Sequence, residues 1–257
     1  MGRVPTWKET DREMSRTTVA LTPEHLDALA GDGHTAPAVP CGRCVFWELD
    51  PVRRQRAGDP AAEKRAWLER VLAQWGTCGR VALVDGVPVG LLLYAPAAFV
   101  PGADGFPTAP VSADAVLLTS VHVAPGHARG GLGRMLVQGM ARDLVERGGV
   151  AAVEAFGDTR GRGHRLGPGL GRCVVPAEFL GAVGFRVQRA HPTTPRLRME
   201  LRAAVSWRDE VEAVLDRLRG VVRAPVRKPA PKSARSPSRV ATRTSQRVRS
   251  GPGLFGR

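Results

Sequence analysis

The feature that most restricts the fold of this chain is a glycine-rich turn between an extended run and a helical one. Residues 115–125 read AVLLTSVHVAP, an apolar run that ends at Pro125 and predicts a β-strand. The glycines of GHARGGLG follow, and an apolar residue then recurs at every fourth position from 132 to 144, which predicts an amphipathic helix. Free backbone N–H groups and the helix dipole make such a turn a binding site for anions, phosphate above all.

Two common nucleotide-binding motifs are excluded because they lack required residues. Gly126 and Gly131 have the spacing that begins a P-loop, but Leu132 and Gly133 stand where that motif needs Lys and Ser or Thr. A dinucleotide fingerprint beginning at Gly131 would need a third glycine at position 136, which is leucine. The turn therefore predicts a phosphate site of another kind.

The chain up to residue 220 alternates extended and helical patterns, which predicts an α/β domain. Residues 80–95 predict a hairpin in which Asp85 and Gly86 supply the positive φ angles of a tight turn. Thr22 and Asp59, each followed by proline, predict the starts of two helices. Residues 31–60 are predicted to be irregular, apart from the helix start at Asp59 and Pro60. The remaining predicted elements are strands at 17–21, 150–156, 185–190 and 196–202, and helices at 176–185 and 207–220.

The basic charge is concentrated at the end of the chain. The formal net charge is +14, but residues 221–257 hold ten of the 38 basic residues and no acidic ones, so 28 basic and 24 acidic residues remain in residues 1–220, a net of +4. The composition of 221–257 predicts a disordered tail that is either a solvated linker or a weak, sequence-independent contact for polyanions. The expected organisation is an N-terminal extension at 1–16, a domain at 17–220 with its core at 78–202, and this tail.

Composition also bears on location and on metal binding. No apolar run reaches the roughly 18 residues that span a bilayer, and the N-terminus lacks the apolar core of a signal peptide, so a cytoplasmic protein without a membrane partner is expected. Four cysteines in 257 residues do not form a disulfide framework. The pair Cys41-x-x-Cys44 permits a redox or zinc role, but zinc needs further ligands and only isolated Cys78, Cys173 and His34 remain, so no metal is expected.

These motifs resemble those of the GNAT superfamily of acyl-CoA-dependent N-acetyltransferases. The chain resembles a bacterial-type member of that superfamily, with no assigned substrate. The family motif is a strand ending in hydrophobic-x-Val-x-Pro, then [Gln/Arg]-x-x-Gly-x-[Gly/Ala] and a helix; VHVAP at 121–125 and GLG at 131–133 match it. The hairpin at 80–95 and the Gly-Phe pair at 184–185 follow the family order, so the resemblance covers residues 17–202. It implies an α/β GNAT fold, with a mixed, mostly antiparallel sheet of about six to seven strands, flanked by helices and splayed at the acyl-CoA site.

The resemblance also implies a cofactor site. In the family, the backbone of the turn holds the CoA pyrophosphate, the preceding strand pairs with the pantetheine arm, and an amine attacks the thioester. Acetyl-CoA is thus the expected co-substrate, with an amine of a small molecule or a protein as acceptor. The family's Gln or Arg position falls on Ala128 here, yet backbone donors matter most and Arg129 or Arg134 can still supply positive charge. The implied cofactor-binding residues are Val121, His122, Val123, Ala128, Arg129, Gly130, Gly131, Leu132, Gly133 and Arg134.

The residues for proton transfer depart further from the family. Many members have a tyrosine general acid where Leu180 stands, and often an asparagine where Cys173 stands. Cys173 and Tyr94 are the alternative proton donors, and a buried structural role is the competing interpretation of each. Glu154 lies on the strand that flanks the cleft and is the candidate base, provided that its side chain faces the cleft.

The acceptor is expected to contact residues 41–51, because in the family the connection between the first two helices lines the acceptor pocket. Cys44, Trp47 and Glu48 are the candidate contacts, with Trp47 as an apolar wall and Glu48 meeting an amine. In the alternative interpretation, residues 45–47 cover the core and Glu48 is solvated. Two functions follow: an N-acetyltransferase, or a module that binds acyl-CoA without turnover, which the missing tyrosine favours.

Overall fold

The computed structural model describes residues 14–31, 39–160 and 173–201, and in this part of the chain one eight-stranded sheet is flanked by helices. The start of the N-terminal extension, the helix predicted at 207–220 and the basic tail lie outside the described residues. The strands are β1 (Arg16–Ala20), β2 (Gly79–Val84), β3 (Val87–Ala95), β4 (Ala115–Val123), β5 (Ala152–Asp158), β6 (Val175–Pro176), β7 (Arg186–Arg189) and β8 (Arg196–Glu200). The α-helices are α1 (Pro23–Ala30), α2 (Pro51–Arg56), α3 (Pro60–Gln74), α4 (Leu132–Arg147) and α5 (Ala177–Ala182).

The sheet is mixed and mostly antiparallel, as predicted. Its strand order is β1-β2-β3-β4-β5-β8-β7, and β6 pairs with β5 beside this path. The β4–β5 and β5–β6 pairs are parallel, and the other pairs are antiparallel. The sheet has eight strands, more than the predicted six to seven, because β6 is only two residues long and no sequence pattern marks so short a strand.

The local signals in the sequence identify the hairpin and two helix starts correctly. Asp85 and Gly86 have φ angles of 50° and 82°, the left-handed geometry that a tight hairpin turn needs. The Thr22 side chain accepts a hydrogen bond from an amide of α1, and the Asp59 side chain does the same at the start of α3. Each helix has proline at its beginning, where a missing N–H group costs nothing.

The prediction that residues 31–60 are irregular is wrong in its second half. Helix α2 begins after Asp50, whose carboxylate accepts from the amides of Val52 and Arg53. This short helix buries none of its side chains, so it carries no apolar periodicity by which a helix is recognised. The Asp50-Pro51 pair is nevertheless the same helix-start signal as the Asp59-Pro60 pair, and it could have located this helix.

The two faces of the sheet have separate cores. Helices α4 and α5 cover one face, where Leu92 and Tyr94 of β3 point, and the predicted apolar positions of α4 are all buried there. Helices α1 and α3 cover the other face together with residues 39–50, and Leu91 and Leu93 point to this side. Alternation along one strand thus separates the α4 face from the α1/α3 face.

The described helices include none with both the length and the apolar character that a membrane crossing requires. The longest, α4, has 16 residues and charged side chains along its outer face.

Candidate active site

Strands β4 and β5 run side by side only at their first residues. Their parallel pairing starts with Ala115 opposite Ala152 and ends with Leu117 opposite Glu154. Beyond this point β4 continues to Val123 and β5 continues without pairing to it, so a gap opens between the carboxyl ends of the two strands. Ligands of open α/β sheets bind outside the carboxyl ends of strands, where neighbouring strands part. This β4–β5 gap is the splay that the resemblance predicts.

A β-bulge in β4 lies at the beginning of the gap. Leu93 of β3 pairs with Ser120, whereas the next residue, Tyr94, pairs with Leu118, so Thr119 is the extra residue. The Thr119 hydroxyl donates to the Leu93 carbonyl at 3.2 Å, which stabilises the irregular backbone. A bulge bends its strand and increases the local twist, and here it turns β4 away from β5.

Beyond the bulge, β4 presents backbone groups to the gap. The Ala124 amide donates to the Val89 carbonyl of β3 at 2.8 Å. Since successive residues of a strand direct their backbone groups to opposite sides, those of Val121 and Val123 point into the gap. The side chains of Val121, His122 and Val123 are half-buried. The three residues predicted to meet the pantetheine arm therefore lie on one edge of the gap.

The turn after β4 leaves five consecutive amides without an acceptor in the described part of the chain. Arg129 and Gly131 have left-handed backbone, with φ angles of 64° and 83°, and α4 begins at Leu132. In the first turn of this helix, the Met135 amide donates to the Gly131 carbonyl at 3.1 Å. Within the described residues, the N–H groups of 129–133 donate to no protein acceptor, and positions 129–131 are exposed. Such a row of donors before a helix is suited to phosphate.

Two arginines hold the turn in place. Arg16 of β1 donates to the Gly130 carbonyl at 2.9 Å, and Arg134 donates at 2.7 Å to the carbonyl of the last residue of α5. Arg134 is therefore engaged with α5. Arg129 is exposed and makes no side-chain hydrogen bond or ion pair to any described residue. Ala128, extended and exposed with φ −66° and ψ 156°, contributes no polar side chain. Arg129 is thus the positive side chain that the turn offers to solvent.

Residues 39–50, named here the acceptor-side segment, span the gap on the α1/α3 face. Cys41 lies close enough to Ser120 of β4 for that hydroxyl to lower the pKa of its thiol, against burial, which raises it, and the Trp47 ring stacks on Phe156 of β5 with centroids 6.1 Å apart. The indole N–H of Trp47 also donates to the Cys173 carbonyl at 2.8 Å. Val45, Phe46 and Trp47 are buried, so this part of the segment covers the core. The segment therefore contacts both strands that border the gap.

Glu48 is neither solvated nor free. Its carboxylate pairs with the Nζ of Lys64 in α3, and the two side chains are 0% and 1% exposed. The same ammonium donates to the Cys44 carbonyl at 3.1 Å. Oxygen Oε2 of Glu48 finds no partner among the described residues. The interpretation that Glu48 is solvated is wrong, because the buried face of α3 brings a lysine beneath the segment.

Two thiols meet beside this ion pair. Cys44 Sγ lies 2.9 Å from Cys173 Sγ, and Cys44 is half-buried whereas Cys173 is buried. A hydrogen bond from Cys173 lowers the pKa of the Cys44 thiol, and the same contact raises the pKa of Cys173. Cys41, the sequence neighbour that suggested a C-x-x-C pair, instead contacts Ser120, and burial raises the pKa of its thiol. No cluster of three or more potential metal ligands occurs among the described residues, and His34 lies outside them.

Glu154, the candidate base, points toward two arginines of β8. Its Oε2 accepts from the Ser112 amide at 3.0 Å and lies 3.4 Å from Nη1 of Arg196, and its Oε1 lies 3.3 Å from Nη1 of Arg198. The side chain is fully buried. Alternation along β5 gives it the same face as Phe156, which is the face of the acceptor-side segment. Both carboxylate oxygens are nonetheless occupied.

Tyr94 lies on the α4 face, apart from the other candidates. Its hydroxyl donates to Asp143 of α4 at 3.1 Å, and Asp143 also accepts from Arg80 Nε at 2.7 Å. Burial and the nearby carboxylate raise the pKa of Tyr94. Leu180, at the position where family members have tyrosine, is completely buried in the same core. The structure therefore brings Cys173 and Glu154 to the α1/α3 face and leaves Tyr94 on the other.

Sequence reasoning missed Lys64 and Phe106. Lys64 lies on the buried face of α3, four residues before Leu68 and seven before Val71. The sequence signal that could have identified it is a charged residue at a position where the helical repeat places apolar ones. Phe106 stacks on Phe156 with centroids 4.3 Å apart, but it comes from the irregular connection before β4, and nothing in that sequence marks the contact.

Comparison with known proteins finds a family similarity in the middle of the chain. Residues 44–162 match the model of the acetyltransferase (GNAT) family. The matched region contains the β4–β5 gap, the turn and most of the acceptor-side residues. Over these residues the chain is similar to the GNAT family.

Several solved structures are similar to this chain. PaiA N-acetyltransferase of Thermoplasma acidophilum, in complex with coenzyme A, is 12% identical, with 73% of this chain and 99% of that chain covered and a TM-score of 0.44. YncA of Salmonella typhimurium, with acetyl-CoA, is 15% identical over 72% and 94% of the chains, with a TM-score of 0.46. YhbS of Escherichia coli, in complex with CoA, is 19% identical over 75% and 84%, with a TM-score of 0.41. No curated protein matches the sequence significantly.

Proposed function

We propose that this protein transfers an acyl group, acetyl foremost, from acyl-CoA to the amine of a small molecule or a protein. The observation that carries the proposal is the row of five free amides at 129–133, which follows β4 at the open end of the β4–β5 gap. The match of residues 44–162 to an acetyltransferase family supports the reaction class. A site made of backbone donors favours a phosphate group, and a gap between strands favours an extended arm attached to it.

Acyl-CoA has both of these parts. Its pyrophosphate would accept from the N–H groups of 129–133, with Arg129 adding positive charge from solvent and Ala128 and Arg134 bordering the site. Its pantetheine arm would extend along β4 and accept from the backbone that Val121 and Val123 turn toward the gap. The thioester would then lie near Ser120, where the acceptor-side segment contacts β4.

The transfer needs two proton movements: one off the attacking ammonium and one onto the leaving thiolate. Glu154 is held by two arginines and Tyr94 by Asp143 on the other face, so neither has a free proton-accepting or proton-donating position at the gap. Cys173 lies on the α1/α3 face and already donates to a neighbouring sulfur. We retain Cys173 as the candidate acid, and an acceptor amine that arrives neutral would need no protein base.

For the acceptor, Cys44 is the most accessible of the three predicted contacts. Trp47 and Glu48 are buried and would shape the floor of the pocket without touching the amine. Phe106, half-buried over Phe156, offers an apolar ring next to this floor. These neighbours favour an acceptor with an apolar body beside its amine.

One observation favours the alternative function, acyl-CoA binding without turnover. The position of the family's tyrosine holds a buried leucine, Leu180, and the two buried glutamates near the gap, Glu48 and Glu154, are both neutralised by basic residues. The alternative keeps the same cofactor site, so binding and turnover must be measured separately.

The test is calorimetric titration with CoA, acetyl-CoA and pantetheine, followed by steady-state release of CoA thiol with a panel of primary amines. We expect CoA and acetyl-CoA to bind, and pantetheine, which lacks the pyrophosphate, to bind at least 100-fold more weakly, as about 3 kcal/mol of phosphate contacts implies. Amine-dependent thiol release establishes the enzyme. Binding with no release from any amine favours the alternative, and equal affinity for pantetheine and CoA overturns the phosphate site.

A further inference from the structure

The contact between Cys44 and Cys173 permits a chemistry that is separate from acyl transfer. The two sulfurs are 2.9 Å apart although 129 positions separate the residues in the chain. Neither backbone depends on the thiols for its position. Lys64 Nζ binds the Cys44 carbonyl at 3.1 Å, and the Trp47 indole binds the Cys173 carbonyl at 2.8 Å. Two buried side chains thus hold the cysteines with their sulfurs in contact.

The other two cysteines provide an internal comparison. Cys41 and Cys78 are buried, and burial raises the pKa of each thiol, that of Cys78 to about 12. A buried, protonated thiol reacts slowly, because the thiolate is the nucleophile. Cys44 differs from both, since it is half-buried and its sulfur touches a second sulfur.

The contact is chemically asymmetric. The hydrogen bond with Cys173, the Phe46 amide and the Lys64 ammonium lower the pKa of Cys44, against burial and the Glu48 carboxylate, which raise it, whereas the pKa of Cys173 is raised. The half-buried sulfur is therefore the more accessible of the two and the one that ionises more readily. This is the arrangement of an attacking and a resolving cysteine.

We propose that Cys44 and Cys173 form a thiol–disulfide exchange site that reacts with small-molecule disulfides and closes to an intramolecular Cys44–Cys173 disulfide. The Cys44 thiolate attacks one sulfur of the small disulfide, which forms a mixed disulfide and expels one small thiolate. Cys173 gives its proton to that thiolate and attacks Cys44 Sγ, which breaks the mixed disulfide and expels the second small thiolate, protonated by solvent. Two protein thiols are oxidised, and one small disulfide is reduced to two thiols.

Closure requires little movement, because a disulfide brings sulfurs from this contact distance to about 2.05 Å. The bond would join the acceptor-side segment to the residue two positions before β6, the short strand that pairs with β5. The site does not depend on acyl-CoA, so its existence can be tested whether or not the protein is an acetyltransferase.

The test uses the full chain, reduced and then equilibrated with glutathione and glutathione disulfide in increasingly oxidising ratios. Free thiols are counted by alkylation, and peptides are mapped by mass spectrometry without reduction. We expect two of the four thiols to be lost, a peptide that links Cys44 to Cys173, and full recovery after dithiothreitol. The matched variants Cys41→Ser and Cys78→Ser should form the same link, because neither thiol takes part.

The variants of the pair separate its two roles. Cys173→Ser should stop at a stable mixed disulfide between glutathione and Cys44, since the resolving thiol is missing. Cys44→Ser should leave Cys173 unmodified under the same conditions, since its attacking partner is missing. Circular dichroism of each variant establishes that it is folded. A second measurement needs no substitution: when wild-type protein is exposed briefly to iodoacetamide, Cys44 should be the first cysteine to be labelled, because it is the attacking thiol.

Three results would overturn the proposal. One is a Cys41–Cys44 link as the main product, which would return the reactive pair to the sequence motif. Another is no thiol loss at the most oxidising glutathione ratio. The third is glutathione spread evenly over all cysteines of Cys173→Ser, which would mean that Cys44 has no special reactivity.

Discussion

The turn at 128–133 and the acceptor-side segment at 39–50 border the same gap but are made in different ways. In the turn, the functional groups are backbone amides. They are exposed and have no acceptor among the described residues, because a glycine there is left-handed and a helix begins directly after it. In the segment, they are side chains, buried and paired with residues far along the chain. A backbone site survives most changes of side chain, whereas a side-chain site fails when one partner is removed. The four predictions below test this difference, from the largest expected effect to the smallest.

Lys64→Met should be the most destabilising change on the acceptor side. It leaves the Glu48 carboxylate buried without its partner, and breaking a buried ion pair in this way costs about 3–5 kcal/mol. Urea unfolding measures the loss. The matched control is Arg65→Met, next in sequence, whose ion pair with Asp27 is exposed, so its loss should change the free energy of unfolding much less. Similar losses for the two variants would show that Glu48 and Lys64 are not a buried pair.

Gly133→Asp should have its effect on binding and not on folding. A carboxylate about 5 Å from the bound pyrophosphate, at an effective dielectric of about 20, costs about 3 kcal/mol, or about 100-fold in the Kd of CoA. The matched control is Gly133→Ala, because any Cβ at this position meets the Phe179 ring at 3.0 Å. Calorimetry should show much weaker CoA binding for Asp than for Ala. Equal affinities would place the pyrophosphate elsewhere.

Glu154→Gln should destabilise the protein by about 2 kcal/mol, since it weakens the hydrogen bond to Arg198 and removes the ion pair with Arg196, which is left poorly compensated. The same change at Glu200, which contacts Arg198 from the exposed side, should cost much less. Turnover per folded molecule and its pH profile should be unchanged. A large fall in kcat with unaltered stability would instead identify Glu154 as the general base.

Tyr94→Phe should have the smallest effect. It removes one hydrogen bond to Asp143, which keeps Arg80 as a partner, so a loss of about 1 kcal/mol is expected in thermal or urea unfolding. Turnover should not change, because this hydroxyl lies on the α4 face. Loss of kcat without loss of stability would make Tyr94 the proton donor.

The sequence was sufficient for much of the fold, because its signals there are local. The Asp85-Gly86 turn, the caps at Thr22 and Asp59, and the apolar face of α4 each depend on residues within one or two turns of one another. Helix α2 was missed although its Asp50 cap was visible, because an exposed short helix lacks the apolar repeat that identifies most helices. The same locality made the left-handed glycine turn and the helix start after it predictable, and anion binding there stays a prediction.

The acceptor side could not be predicted in the same way. The C-x-x-C spacing favoured a Cys41–Cys44 pair, but the sulfur that meets Cys44 belongs to Cys173. Alternation in β5 left open where Glu154 points, and only the antiparallel pairing with β8 brought arginines to it. Each of these contacts joins residues whose separation in sequence gives no local signal.

The sequence by itself therefore determined the strand, the glycine turn and the helix, and with them the side of the gap where the backbone amides are exposed. The physical reason is that backbone dihedrals and helix starts are set by residues within a few positions. The tertiary structure alone decided the acceptor side, where the Glu48–Lys64 pair and the Cys44–Cys173 contact form. Burial creates those pairs, because a charge or a thiol removed from water acquires its properties from whichever group the packing brings beside it.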